Sequence, residues 1–312
     1  MDQDILLRLE GRWEASQVKR RLEIEAHHEN RLRRKGTGFF HIESWYSVHS
    51  IIRNALRLAG LYGQARRNAD KVLIRRNPLV FRNLPSSFDG FTILHISDLH
   101  VDMNEGALES LLSLVDGLRY DLCVLTGDYR GKTFGPFAAT LDGMQRLRSG
   151  LSGPVWGVLG NHDTLHMVPH LEEMGIRVLL NECEEFVRGG QRIYLSGIDD
   201  AHHYKTHDIE RAAARIPGNA FSILLSHTPA VYDEASKAEF DLMLSGHTHG
   251  GQICLPGSVP VILERALPRR FASGGWEYRN LTGYTSVGAG ASLVPVRLNC
   301  PAEIVLHQLL CG

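Results

Sequence analysis

Long apolar runs, paired cysteines and a strong net charge are all missing from this 312-residue sequence. No stretch of about 18 uncharged apolar residues occurs, so no membrane-spanning helix is expected. The five cysteines, Cys123, Cys183, Cys254, Cys300 and Cys311, are odd in number and lack paired spacing. That argues against a disulfide framework or a zinc knuckle, and for a reducing compartment. A formal net charge of -1 gives no overall field for gathering nucleic acid. The start, Met1-Asp2-Gln3-Asp4 with an apolar run broken at Arg8 and Glu10, has neither signal-peptide nor twin-arginine character. A cytoplasmic location is therefore expected. Internal repeats and low-complexity tracts are also absent.

Apolar residues reach 43%, enough for a sizeable core in one large α/β domain with an appendage. Charge is unevenly spread: residues 1–80 carry 16 Lys/Arg against 9 Asp/Glu, and the rest carry 18 against 26. A basic segment precedes an acidic body. We assign residues 1–88 to a helical, basic N-terminal extension and residues 89–312 to the main domain. Residues 2–35 read as a polar helix, and Arg33-Arg34-Lys35-Gly36 is a helix C-terminal signal. Residues 44–64 form a second helical pattern, with Trp45, Val48, Ile52, Leu56, Ala59 and Tyr62 at helical spacing. Two readings stand: a helix docked on the body, or an interfacial helix on an anionic surface, which would place the protein peripherally on the inner membrane.

From Phe91 onward short apolar runs alternate with helical segments, which implies an α/β body. Strands are expected at Thr92–Ser97, Leu122–Thr126, Val155–Leu159, Arg192–Ser196, Ser222–Ser226 and Leu242–Ser245, and in the tail near Thr282–Val287 and Glu303–Leu309. Several of these runs end in metal-capable residues. They give Asp98-Leu99-His100, Gly127-Asp128, Gly160-Asn161-His162-Asp163, Ser226-His227 and Gly246-His247-Thr248-His249. Functional groups gather beyond the carboxyl ends of strands in α/β sheets. Imidazole, carboxylate and amide oxygen suit divalent ions such as Mn, Fe or Zn, with manganese the first expectation. The seven residues Asp98, His100, Asp128, Asn161, His227, His247 and His249 exceed what one ion needs. Two ions about 3.5–4 Å apart would use them all, with Asp128 as the natural bridge. Each piece alone is weak, since a single His or a Gly-Asp turn is common. The ordered conjunction of all five is what carries weight.

That order resembles the calcineurin-like metallophosphoesterase superfamily over residues 92–250, with the tail continuing it to about 310. The resemblance implies a four-layer α-β-β-α sandwich of two mixed sheets, here with a helical N-terminal extension. It implies one metal on Asp98, His100, Asp128 and His249, and a second on Asp128, Asn161, His227 and His247. His162 would be the catalytic histidine facing the phosphate. The segments Ser97–His100, Ser226–Pro229 and Gly246–Gln252 look most like the bacterial YkuE-type branch. Members of that branch are often membrane-associated, and some related enzymes cleave the pyrophosphate of a UDP-diacylglucosamine lipid precursor. Two departures stand out: no N-terminal leader or anchor is seen, and Val287-Gly288-Ala289-Gly290 lacks an arginine expected after its first residue.

The implied chemistry is hydrolysis of a phosphodiester or pyrophosphate. Two cations neutralise the phosphoryl oxygens, and a water shared between them attacks phosphorus as hydroxide. His162 stabilises charge or protonates the leaving oxygen, and Asp163 is expected to orient its ring. A phosphomonoesterase or protein phosphatase is the alternative enzyme, and a catalytically inactive scaffold the alternative of another class. Arg130 is read either as a phosphate contact or as a solvated side chain. His202, His203 and His207 are placed near the cleft mouth as a minor reading. No specific nucleic-acid partner is expected.

Overall fold

The computed structural model describes residues 2–9, 12–35, 42–261 and 267–312. Four helices come first: α1 (Asp2–Leu9), α2 (Ala15–Lys35), α3 (Ile42–Leu58) and α4 (Tyr62–Ala69). The body then runs β1 (Val72–Phe81), β2 (Thr92–Ile96), α5 (Glu105–Val115), β3 (Leu122–Leu125), α6 (Ala138–Gly150), β4 (Val155–Gly157), α7 (Val168–Glu173) and β5 (Ile176–Val178). Next come β6 (Glu182–Arg188), β7 (Gln191–Gly197), α8 (Ile209–Ala213), β8 (Ser222–Leu225), α9 (Tyr232–Lys237) and β9 (Leu242–Ser245). The tail adds β10 (Cys254–Leu255), β11 (Val259–Pro260), β12 (Gly274–Tyr278), β13 (Leu281–Thr285) and β14 (Ala302–Cys311).

Two mixed six-stranded sheets form, in the orders β1-β14-β2-β3-β4-β5 and β12-β13-β9-β8-β7-β6. Side chains alternate between the faces of a strand, and both faces here are apolar. On β2 and β3, Ile93, Leu122 and Val124 enter one core while Leu94, Cys123 and Leu125 enter another. On β8 and β9, Ile223, Leu225, Leu242 and Leu244 share the first core, while Leu224 and Met243 turn to a third. The shared core is the seam between the stacked sheets. Helices α5–α7 cover one outer face, and α8 and α9 the other. This is the expected four-layer sandwich.

The N-terminal segment departs from its expected form. Residues 2–35 make two helices, with Trp13 buried at the turn between them. The pattern over 44–64 is likewise two helices, parted at Gly60 with φ +70°. The side chains of Trp45 and Val48 lie outside the described residues. The stretch assigned to a helical extension also contains strand β1, which pairs in parallel with β14 inside the first sheet. Ile5, Leu9, Trp13, Val18 and Leu22 share the core of Leu165, Val168 and Leu171. Complementary charge adds to this seating: Arg12 meets Glu172 and Glu182, each at 2.8 Å.

Candidate metal centre

Strands β2, β3 and β4 of one sheet and β8 and β9 of the other end along a common rim. Asp98 and His100 follow β2, Asp128 follows β3, and Asn161 to Asp163 follow β4. His227 follows β8, and His247 and His249 follow β9. Five of these residues turn the chain sharply, with φ of 49° at Asp98, 41° at His100, 56° at Asp128, 72° at His247 and 51° at His249. Such a backbone costs a non-glycine residue about 1–2 kcal/mol, and clustering of the kind is common at functional sites. Cross-loop bonds hold it: Asp98 N donates to Gly127 O (3.1 Å), His100 N to Asp128 O (3.0 Å) and Gly246 N to His227 O (2.9 Å). A Cβ at Gly246 would collide with the Ser97 hydroxyl and the Asp98 carboxylate, so glycine is required there.

The side chains converge in two groups. Asp98, His100 and His249 offer ligand atoms within 4.8 Å of one another, as do Asp128, His227 and His247. Asp128 Oδ2 lies 3.3 Å from His227 Nε2 and 3.9 Å from His100 Nε2, between the two groups. Asn161 Oδ1 is 3.0 Å from His227 Nε2. All seven sequence-derived residues are thus brought to one place.

The surroundings suit cations. His100 Nδ1–H donates to Arg130 O and His227 Nδ1–H to Thr126 O, each at 2.8 Å. Fixing the proton on Nδ1 leaves the Nε2 lone pairs facing the cleft. His227 Nε2 faces the Asn161 amide oxygen and Asp128 Oδ2, two acceptors that favour positive charge at that nitrogen, whether a proton or an ion. Burial opposes charge on His227, yet Asp128 and Asp98 push its ring up to about 10. Burial holds His249 down at about 3, so this ring is a neutral donor. The donor set therefore fits divalent ions on both chemistry and charge.

His162 stands outside the two groups, with Nε2 3.9 Å from Asp128 Oδ2. Burial lowers it to about 4 although Asp128 pulls the other way. Its Nδ1 is 2.8 Å from the Thr133 hydroxyl, so Thr133 orients this ring, a role expected of Asp163. Asp163 turns instead to backbone, accepting from Asp128 N and Gly160 N (2.8 Å each) and Tyr129 N (3.0 Å). It ties the β3 and β4 loops together, while burial and the charge of Asp128 push it up to about 6. Arg130 is neither solvated nor open to a phosphate, because its guanidinium donates to His162 O, Thr133 O and Gly135 O. No sequence pattern marked Thr133, since a threonine in a Gly-rich loop looks ordinary.

Arg297 was also missed. It is fully buried and donates from Nη2 to Val287 O (2.6 Å), Gly288 O (3.1 Å) and Gly290 O (2.6 Å), and from Nη1 to Cys300 O (3.2 Å). The loop lacking an arginine of its own is thus held by one from farther along the chain. That loop supports Asp98, with Ala289 N donating to Ser97 O (2.9 Å) and Gly290 N to Asp98 O (2.8 Å).

His202 does reach the rim, its ring centroid 4.3 Å from that of His247, while His207 pairs with Glu234 at 3.4 Å. Beside the centre lies a mainly apolar cavity of about 490 Å³, with His247 and His249 in its wall and Ile51, Ile52 and Leu56 of α3 opposite Ile253 and Val294. Ile51 and Leu58 stay 64% and 91% exposed, which leaves α3 with an uncovered apolar surface. No helix among the described residues is long and apolar enough to cross a membrane.

Comparison with known proteins agrees with this geometry. The Calcineurin-like phosphoesterase family matches residues 91–251. Metallophosphoesterase YkoQ of Bacillus subtilis is 29% identical over 233 residues, spanning 70% of this chain and 83% of its own. YkuE of the same organism is 27% identical over 271 residues, 83% of this chain and 93% of its own. Phosphodiesterase YaeI of Escherichia coli is 28% identical over 236 residues, 70% and 82% of the two chains.

Proposed function

From the premise that this chain belongs to the calcineurin-like phosphoesterase family and is a metal-dependent phosphoester hydrolase, we propose that it cleaves a phosphodiester or pyrophosphate at a two-cation centre. The observation that carries the reading is the pair of ligand groups with Asp128 between them. Asp98, His100, Asp128 and His249 would hold one ion, and Asp128, Asn161, His227 and His247 the other. Manganese is the first assignment, with iron or zinc as alternatives. Bound there, the ions supply charge neutralisation and an activated water. The chain's own residues do the rest. His162 Nδ1 pairs with the Thr133 hydroxyl at 2.8 Å, and with that hydroxyl as the donor the ring proton sits on Nε2, facing the cleft. His162, neutral because burial holds it down at about 4, gives a hydrogen bond from Nε2 to the phosphoryl or leaving oxygen as charge builds there. Asp163 fixes the His162 loop to the Asp128 loop.

The apolar cavity beside His247 and His249 favours a substrate with an apolar substituent across the phosphate. A diester or pyrophosphate allows this, and a UDP-sugar lipid precursor is one such molecule. Exposed Ile51 and Leu58, with Arg53 and Arg57 on the same helix, support docking on an anionic membrane surface. The test is a manganese-loaded panel of bis-p-nitrophenyl phosphate, p-nitrophenyl phosphate, cyclic nucleotides and UDP-diacylglucosamine. Turnover of diester or pyrophosphate above monoester is expected, and His162→Ala should lower it at least about tenfold with metal retained. Faster turnover of the monoester would favour the phosphomonoesterase or protein-phosphatase reading. No turnover of any compound with two ions bound would return the chain to a scaffold.

A further inference from the structure

Helix α2 lies outside residues 91–251, yet it grips the loop that carries His162. Arg21 has no exposed surface and donates from Nη2 to Asp163 O at 3.3 Å. The same guanidinium pairs with Glu25 at 2.8 Å and Asp199 at 3.1 Å. Glu25 in turn accepts from Leu165 N at 3.0 Å and from the Thr164 hydroxyl. Arg21 also lies over the Tyr204 ring, 3.1 Å from its centroid. Asp199 and Tyr204 belong to the loop after β7, which presents His202 to His247. One cation therefore joins active-site loops that rise from different sheets.

Simple docking of α2 does not call for this arrangement. Val18 and Leu22 already seat the helix in the core, beside Trp13 of the turn before it. Burying a guanidinium costs several kcal/mol, which an exposed Arg–Glu pair at the same spacing would avoid. The arrangement does fix the backbone of residues 163–165 from outside, while the Asp163 carboxylate fixes it from within. His162 sits at the edge of that doubly held segment. A misplacement of about 1 Å at a reacting group can cost about 10²-fold in rate.

We infer that Arg21 and Glu25 are positioning residues that act through His162, an inference resting on the catalytic role proposed for that histidine. The test is a double-mutant cycle on the full-length, manganese-loaded protein with bis-p-nitrophenyl phosphate. Glu25→Gln keeps the shape and removes one charge. Arg21→Met combined with Asp199→Asn removes the cation together with its most deeply buried partner and leaves Glu25 in place. Each is expected to lower kcat about tenfold, with KM changed less than about threefold and metal content intact. In a His162→Ala background the same changes should alter kcat less than about twofold, since the group they act through is gone. Equal losses in both backgrounds would reduce Arg21 and Glu25 to a structural role and overturn the inference. Unchanged kcat in the Glu25→Gln protein would do the same, and that variant suffices if the Arg21 variant does not fold. Full activity in His162→Ala alone would instead sink the catalytic role proposed for that histidine, and the inference with it.

Discussion

Arg297 offers the most quantitative test of how the centre is supported. Arg297→Met strips the guanidinium from four buried carbonyls, those of Val287, Gly288, Gly290 and Cys300. At about 1.5 kcal/mol per charge-assisted bond, the four sum to about 6 kcal/mol. Relief from burying a cation returns part of this, leaving a net loss of about 3–5 kcal/mol. Unfolding entropy near 2.1 cal/mol/K per residue gives about 0.66 kcal/mol/K for 312 residues. The melting temperature should therefore fall by about 5–8 °C, read by differential scanning fluorimetry at fixed metal concentration. Because the held loop backs Asp98, metal affinity should weaken as well, by about 10–100-fold. Arg297→Lys keeps the charge but loses the fork, and it should fall between the variant and the parent. A melting temperature within about 1 °C of the parent would refute the reasoning.

Asp128→Ala should lose both ions, because the residue faces both ligand groups; elemental analysis finding two retained ions would remove its bridging role. His95 is buried between the sheets against Thr126 and His307, and burial lowers it to about 3. Its unfolded pKa is near 6.5, so below that pH the unfolded chain takes up a proton the folded chain refuses. The resulting stability is full above about pH 6.5 and is lost progressively toward pH 3, about 2 kcal/mol of it by pH 5. Urea unfolding in chelator should show His95→Gln less acid-sensitive by that amount, and an unchanged pH dependence would count against the assignment.

The ligands were legible because each ends a buried strand, where sequence order and spatial convergence coincide. The central strands were legible for a related reason: their runs are apolar on both faces. Strand β1 was not, because Arg75, Arg76 and Asn77 interrupt it and its outer residues meet solvent. Arg21 and Glu25 carried a misleading signal, since an i, i+4 pair in a polar helix ordinarily faces water. Only the fold reveals that this face is buried against two loops. Asp163 was misassigned because neighbours in sequence need not face each other: its carboxylate turned to the backbone of Asp128, and Thr133 took the ring. Arg297 was hidden in a tail whose composition suggests only turns.

Each ligand group draws on both sheets. Asp98 and His100 come from one and His249 from the other, while Asp128 faces His227 and His247 across the same seam. Neither sheet alone supplies a complete ligand group, so a bound cation would act as a rivet through the two layers. Ions that bind only the closed rim stabilise it in proportion to the logarithm of their concentration. Metal supply is then a folding variable as much as a catalytic one. A cell short of metal would hold chains whose rim opens most readily, exposing the loops after β4 and β9 to proteolysis before the sheets themselves part.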